Sequence, residues 1–351
     1  MSSLAVSASG GASASSPVAP FNAALEANHA TVNNVAALLQ QGRDGEATAI
    51  LTQARQGQPQ AMQDALDRMV SAKLRTSLDT PPSTPGLQGM YASPVEIGNT
   101  IRRINDAGNS RPAMPDTDGL TAEQKFDVYS SIVQTRGNQA ARDALDRGDK
   151  VILGMRKEDN SVVNHGKGEY NDRIVVLSRD PRNGTVKVEE FDRASADPTA
   201  QYDANTQHKA TNAKYDQKEL KGMQFRRPEG EDVTGDRIPE LGRLSEGTVE
   251  MWETTHPTPW AGTNFALRPT PDAIANSTSW IDRDSKHNGD SSTGVRSKLN
   301  DSIKIHAGSR NNTDSAGCTT IQPEDYKKFE AAVKGNGTQE RWQYVLTNVV
   351  S

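Results

Sequence analysis

Apolar positions along the chain change rhythm near residue 149. Before it they recur every three or four residues; after it they alternate with polar ones or run together in short bursts. Over 21–76, Ala24, Leu25, Val32, Val35, Ala36, Leu38 and Leu39 keep a helical spacing, which Gly42 and Gly45 interrupt. Ala47, Ile50, Leu51 and Ala54 resume it, and Gly57-Gln58-Pro59 stops it again. Ala61, Met62, Ala65, Leu66, Met69 and Val70 form a third stripe. Three short amphipathic helices bury such stripes against one another, so a small helical module is predicted over 21–76. Residues 77–119 read as a linker with one short helix: Pro81, Pro82, Pro85, Pro94, Pro112 and Pro115 punctuate it, and Val95 to Ile104 keeps a helical pattern. Thr121 then opens a helix by a cap-like pattern before Phe126, Val128, Tyr129, Ile132 and Val133, and Ala140, Ala141, Ala144 and Leu145 mark another. Gln60–Arg68 and Gln139–Arg147 echo each other, but common helix composition accounts for a single echo.

From Asp149 onward the pattern is that of strands. Val151–Gly154 and Ile174–Leu177 are apolar bursts, and Val186 and Val188 alternate after the Asp180–Gly184 turn, so 174–191 predicts a β-hairpin. Residues 192–223 lack apolar anchors and read as a long excursion, a lid or a flexible loop. Strands are expected at Gly247–Glu253, Asn264–Arg268, Trp280–Ile281, Ser302–Ala307, Cys318–Ile321 and Tyr344–Val350. A helix is expected over Pro323–Val333, with Glu324 and Asp325 favourably placed in its first turn. The fold class is therefore α+β, with a mostly β domain over 120–351.

Composition adds limits. Hydrophobic residues make up 34% of the 351, and the mean hydropathy is −0.73, polar for a compact chain. Residues 1–20, rich in Ser, Ala and Gly, cannot bury enough apolar surface to order themselves and are expected to form a disordered tail. In composition this tail is like the export signals of injected effectors, which secretion machinery or a chaperone would engage. A net charge of −5 gives no footprint for nucleic acid and no attraction to anionic membranes. No stretch approaches a membrane span, and the N-terminus has no basic segment followed by an apolar one, so export by a non-Sec route or release by lysis is expected. A single cysteine excludes an intrachain disulfide and a cysteine-based zinc site.

That cysteine, Cys318, lies in the stretch with the strongest chemical signal, Ile303–Ile321. Ile303, Ile305 and Ala307 alternate with Lys304 and His306, so His306 ends one strand at Gly308. A polar loop from Ser309 to Ser315 follows, and Ala316-Gly317 delivers Cys318 into the next strand. A hairpin-like return would put the imidazole beside the thiol. A free thiol is only a few per cent thiolate at neutral pH, and a neighbouring imidazole that takes its proton makes it a far better nucleophile. Gly317 would let backbone N–H groups face a carbonyl oxygen as an oxyanion hole.

His306-Ala307-Gly308 followed by Ser315-Ala316-Gly317-Cys318 resembles the signature of L,D-transpeptidase (YkuD-type) catalytic domains: a histidine with a nearby glycine, a loop, then Ser-His-Gly-Cys. The match is tight over about twenty residues and loose over 220–351. The resemblance implies a mostly β catalytic domain, an acylated Cys318, His306 as its base, Ser315 and Gly317 in the turn, and peptidoglycan stem peptides as substrate. Ala316 stands where the family usually has a second histidine, Thr320 where an arginine often follows the cysteine, and the loop is short. These departures bear on the acceptor side, and so on whether the chain is a transferase or a hydrolase.

Substrate contacts are expected from Gly317, Ser315, Gly308 and Arg283, the last because a guanidinium fork binds a terminal carboxylate two-pronged. His256 reads as a plain loop histidine among prolines. His165 and the Tyr170–Arg173 run can approach the site without an assigned role. Asp282, Asp284 and Asp290 with Asn288 and Gly289 hint at a calcium loop but lack the closing glutamate, so no metal and no cofactor is expected. Two other readings stand beside the cell-wall enzyme. One is a cysteine protease effector acting on host proteins, disfavoured because papain-like enzymes place cysteine before histidine. The other is a catalytically silent binding module in which Cys318 is a small buried residue.

Overall fold

The computed structural model describes residues 19–75, 92–212, 214, 218, 220–258, 262–335 and 337–350. The expected disordered tail, up to residue 18, and the linker residues 76–91 lie outside them. The chain opens with α1 (Ala19–Gln40), α2 (Asp44–Arg55), α3 (Gln60–Arg75), α4 (Pro94–Asn109), α5 (Ala122–Arg136) and α6 (Gln139–Arg147). Their ends follow local rules. Ser93 and Thr121 form capping boxes with Glu96 and Gln124, satisfying the first N–H groups of α4 and α5. Gly148, in the left-handed region, closes α6.

The strands begin at β1 (Val151–Arg156). After the single turn α7 (Val163–Gly166) come β2 (Asp172–Arg179) and β3 (Val186–Ser195), the expected antiparallel hairpin. The short α8 (Ala204–Ala210) precedes β4 (Gly242–Leu244), β5 (Gly247–Thr258) and β6 (Gly262–Pro269). Then follow α9 (Pro271–Ala275), β7 (Trp280–Arg283), β8 (Arg296–Lys298), β9 (Ile305–Ala307), β10 (Thr319–Ile321), α10 (Pro323–Lys334) and β11 (Arg341–Asn348). The molecule is α+β: helices plus a large mixed sheet. That sheet closes as a barrel in the order β1-β11-β5-β6-β9-β10-β3-β2, and β4-β7-β8 form a separate antiparallel sheet. Two joints of the barrel are parallel, β1 with β11 and β9 with β10; the others are antiparallel. Among the described residues no helix is long and apolar enough to cross a membrane.

Alternation along the strands divides the core. Ile152, Ile174, Val176, Leu267, Ile305, Ile321, Tyr344 and Leu346 pack with Tyr326, Phe329 and Val333 of α10. Val151, Leu153, Met155, Val175, Leu177 and Val345, on the opposite strand face, pack under Phe126, Tyr129, Ile132 and Val133 of α5 and Ala141, Ala144 and Leu145 of α6. The apolar bursts in β1 and β2 thus reflect burial on both faces. Helix α3 serves two cores: Ala61, Met62 and Ala65 face the α5 layer, while Leu66, Met69 and Val70 pack with α1, α2 and Ile104 of α4.

Two sequence expectations change. The strands carrying His306 and Cys318 do not form a hairpin; they pair in parallel, so the connection between them must travel back along the strand direction. The polar excursion after residue 192 is not a loose lid over its first part, because Ala196, Asp197, Thr199, Ala200, Gln201 and Asp203 are buried.

Candidate active site

Ile305 and Ile321 point into the barrel core, so alternation sends His306 and Thr320 to the other face. The register sets Thr319 opposite Ile305 and Thr320 opposite His306. Cys318 stands one residue earlier, level with Lys304 and on the face of His306. From a rise of ~3.3 Å per residue and a strand spacing of ~4.8 Å, the Cα atoms of Cys318 and His306 are about 8 Å apart. The fold brings the two to one face of neighbouring strands without joining them: the half-buried thiol donates to the Ser302 carbonyl at 3.4 Å, and no hydrogen bond links Sγ to the imidazole.

His306 is held in one tautomer. Its Nδ1 lies 2.8 Å from the Ala307 carbonyl. A carbonyl only accepts, so Nδ1 carries the proton and Nε2 keeps its lone pair. Burial pushes the pKa of His306 down to about 3, assisted by His256 and Lys304 and opposed by the Ala307 carbonyl, so the ring is neutral at pH 7. Burial raises the Cys318 thiol to about 11; a Lys304 backbone hydrogen bond and the Lys304 charge pull it down, and Glu229 pushes it up. The resting pair is therefore thiol and imidazole, not an ion pair.

Two contributors were not recognised in the sequence. His256 is a strand residue of β5, and its ring stacks on His306 with centroids 3.9 Å apart and planes parallel. Leu267 stands opposite Ile305, which sets the small Ala266 of β6 across from His306 and leaves room for the rings to meet over its methyl. Burial, then Lys304, lowers the His256 pKa as well. Prolines around His256 suggested a loop; Pro257 is accommodated within β5. The second contributor is Lys304, whose charge acts on Cys318, His306 and His256 alike. Its two-residue spacing from His306 in an alternating strand was the available signal.

The turn before Cys318 is tightly built. Ser315 Oγ accepts from Gly317 N–H at 3.0 Å and donates to the Cys318 carbonyl at 2.6 Å. The Ser315 carbonyl accepts from both the N–H and the hydroxyl of Thr199, each at 2.8 Å. Gly317 has φ +134°, and a Cβ there would sit 1.9 Å from the Gly242 carbonyl oxygen, so β4 backbone occupies the space of a side chain. A Cβ on Gly308 would meet the Tyr170 hydroxyl at 2.2 Å. That hydroxyl lies 2.7 and 3.0 Å from the Ser309 and Asn312 carbonyls, and Asn312 exchanges two amide hydrogen bonds with Gln201. Arg226 pairs with Asp314 at 2.7 Å. Ser315, Gly317 and Gly308 thus shape the loop through packing. Gly317 N–H is occupied by Ser315, which removes it from the expected oxyanion hole.

Arg283 is placed differently from its expected role. It sits on β7, 5% exposed, with Nη2 on Glu231 at 2.7 Å, Nε on Ser297 at 2.9 Å and Nη1 on the Glu240 carbonyl at 3.3 Å. Its fork is filled by the protein itself, because a buried guanidinium needs partners for its charge and its donors. The residues of the hinted calcium loop are engaged too: Asp282 binds Ser245 and Arg296, Asp284 caps the N–H groups of Asn288 and Gly289, and Asp290 caps Ser292. His165 is exposed, in a left-handed turn at φ +53°.

Two clefts open near β9 and β6, neither of them lined by Cys318 or His306. One, of about 450 Å³, is lined by Lys167, Arg226, Gly308, Arg310, Asn312 and Pro323 among others. The other, of about 360 Å³, is more apolar, with Trp252, Pro269, Pro271 and Ile274 beside Arg268 and Asp301. The register places Trp252, Arg268, Lys304 and Cys318 in one cross-strand row. A larger cleft, about 1110 Å³, lies elsewhere, by the Asp180–Thr185 turn and the end of α10, and is likewise lined by no cysteine or histidine. No protein-family model, no curated protein and no solved structure matches the chain.

Proposed function

We propose that the chain is a cysteine acyltransferase or peptidase of the L,D-transpeptidase-like kind, acting on peptidoglycan stem peptides with Cys318 as nucleophile and His306 as base. The observation that carries this reading is the placement of Cys318 on the same strand face as a neutral imidazole whose Nδ1 proton is fixed on Ala307. Cys318 Sγ leaves the Ser302 carbonyl by a rotamer step and attacks a peptide carbonyl while its proton passes to His306 Nε2. The Lys304 charge favours the anion that develops. The imidazolium then protonates the leaving amine as the C–N bond breaks, leaving a thioester on Cys318. Water or a second amine attacks that thioester, its proton returns to the imidazole, and the thiol is released. A basic cleft beside Gly308 and an apolar one beside Arg268 suit an extended peptide bearing a carboxylate. Delivery into another cell by a non-Sec route, as an effector or toxin, is part of the same reading.

The test is intact-mass measurement of the protein incubated with muropeptides. The expected result is a covalent acyl adduct on wild-type protein, absent in Cys318→Ser and formed at least ~10²-fold more slowly in His306→Gln. Absence of both adduct and product sinks the proposal, and an adduct with host proteins but not with muropeptides would favour the protease. One observation favours a silent binding module: the thiol rests on Ser302 with a raised pKa. For that module, alkylation follows an isolated thiol titrating near 11, and His306→Gln leaves the rate unchanged.

A further inference from the structure

Away from Cys318, three side chains from two distant segments converge in a way the acyl chemistry does not use. Asp236 and Glu240 come from the segment leading into β4, and His287 from the turn after β7. His287 Nε2 lies 3.3 Å from Asp236 Oδ2 and 3.9 Å from Glu240 Oε1, and all three ligand atoms fall within 4.8 Å of one another. A zinc-type ion bound at ~2.0–2.1 Å in tetrahedral geometry holds its ligand atoms about 3.3 Å apart; one edge already has that length, a second is 3.9 Å and the third stays within 4.8 Å.

The surroundings are those of oriented ligands. The second oxygen of each carboxylate is held by backbone: Asp236 Oδ1 accepts from Ile238 N–H at 2.8 Å, and Glu240 Oε2 from Val233 N–H at 2.8 Å. Thr234 donates its hydroxyl to Glu240 Oε1 at 2.6 Å, the outer hydrogen bond that tunes a ligating carboxylate. The His287 turn is pinned through its carbonyl by Asn205 at 3.2 Å and Lys209 at 2.6 Å. Glu240 is fully buried, yet its carboxylate oxygens meet only uncharged donors and the imidazole. The nearby Arg283 binds the Glu240 backbone carbonyl and pairs directly with Glu231, its charge reaching the Glu240 carboxylate only through space. A buried carboxylate is normally paired with a full charge or bound to a metal. Asp236 and His287 remain partly accessible, which leaves an entry path and room for water as a fourth ligand.

We propose that Asp236, Glu240 and His287 form a divalent transition-metal site, with zinc the best-matched ion because one imidazole and two carboxylates suit it better than the all-oxygen shells of calcium or magnesium. The ion clips the turn after β7 to the segment entering β4, whose Gly242 carbonyl lies against Gly317. This site stands apart from the acyl chemistry, since it is read by metal content and not by reaction.

The test uses the full chain stripped with chelator, dialysed and titrated with zinc chloride, with calorimetry and elemental analysis as readouts. The expected result is one zinc per chain, raising Tm in wild type. His287→Ala and Asp236→Asn should each weaken zinc binding by on the order of tenfold or more while keeping the far-ultraviolet spectrum of the fold. Cys318→Ser should keep the full equivalent. The site is overturned if wild type takes up no zinc, if His287→Ala and Asp236→Asn bind as wild type does, or if Cys318→Ser abolishes binding, which would assign the ion to the thiol.

Discussion

The barrel has two unlike arcs. Around β1, β2 and β11 both strand faces are buried, one toward α10 and one under α5 and α6, and β1 is buried at all six positions. Around β9 and β10 the inward face is equally apolar, with Ile305 and Ile321. The outward face carries Lys304, His306, Cys318 and Thr320, uncovered by the α5 and α6 layer. The same two-residue alternation thus gives a wall covered by helices on one arc and, on the other, a polar face whose His306 and Thr320 are buried without α5 and α6. The helix-covered packing and the Cys318–His306 pair of the proposed function thus lie on different arcs of one ring of strands.

This separation can be broken or sharpened experimentally. The largest effect is expected on the sealed arc, where Leu153→Ala should cost about 2–5 kcal/mol in denaturant unfolding by opening a cavity under α5. The folded fraction should keep the wild-type pH profile of Cys318 alkylation, and a changed profile would mean that the arcs are coupled.

Acid should come next. His306 is depressed from 6.5 to about 3 in the folded chain, so the unfolded state binds the extra proton between those values. The stability linked to it is complete above pH 6.5 and is lost as pH falls toward 3, at about 1.4 kcal/mol per unit. Between pH 6.5 and 4.5 the loss is about 2.3 kcal/mol relative to a variant without the ring. Unfolding curves of wild type and His306→Gln that stay parallel over this interval would contradict it.

Gly317→Ala is expected to act locally, because its methyl would meet the Gly242 carbonyl and displace the turn by about an ångström. Adduct formation with muropeptides should fall by roughly 10²-fold, while Tm moves less than in Leu153→Ala. The smallest effect should be Thr199→Val, which removes one of two donors on the Ser315 carbonyl and costs about 1 kcal/mol in unfolding. A loss as large as that of Leu153→Ala would show that the turn is part of the folding core.

Short-range signals carried far in this chain. Helical stripes located α1–α3, cap residues located α5, and alternation located β2, β3, β9 and β10. They also put Cys318 and His306 at adjoining strand ends, because a period of 2 or 3.6 is a property of neighbours in sequence. Pairing depends on partners far away. That is why β9 and β10 proved parallel where a hairpin was expected, and why Arg283, in the separate β4-β7-β8 sheet, meets Glu231. It is also why His256, on β5 and fifty residues before His306, lies ring to ring with it.

The amino-acid sequence alone determined the elements, the division into a helix-rich beginning and a strand-rich remainder, and the two residues with the strongest chemical signal. Tertiary structure decided which face is covered, which tautomer His306 holds, and how far the thiol rests from it. Each of these depends on side chains brought together by barrel closure, and the free energy of those contacts exists only once strands distant along the chain have found their register.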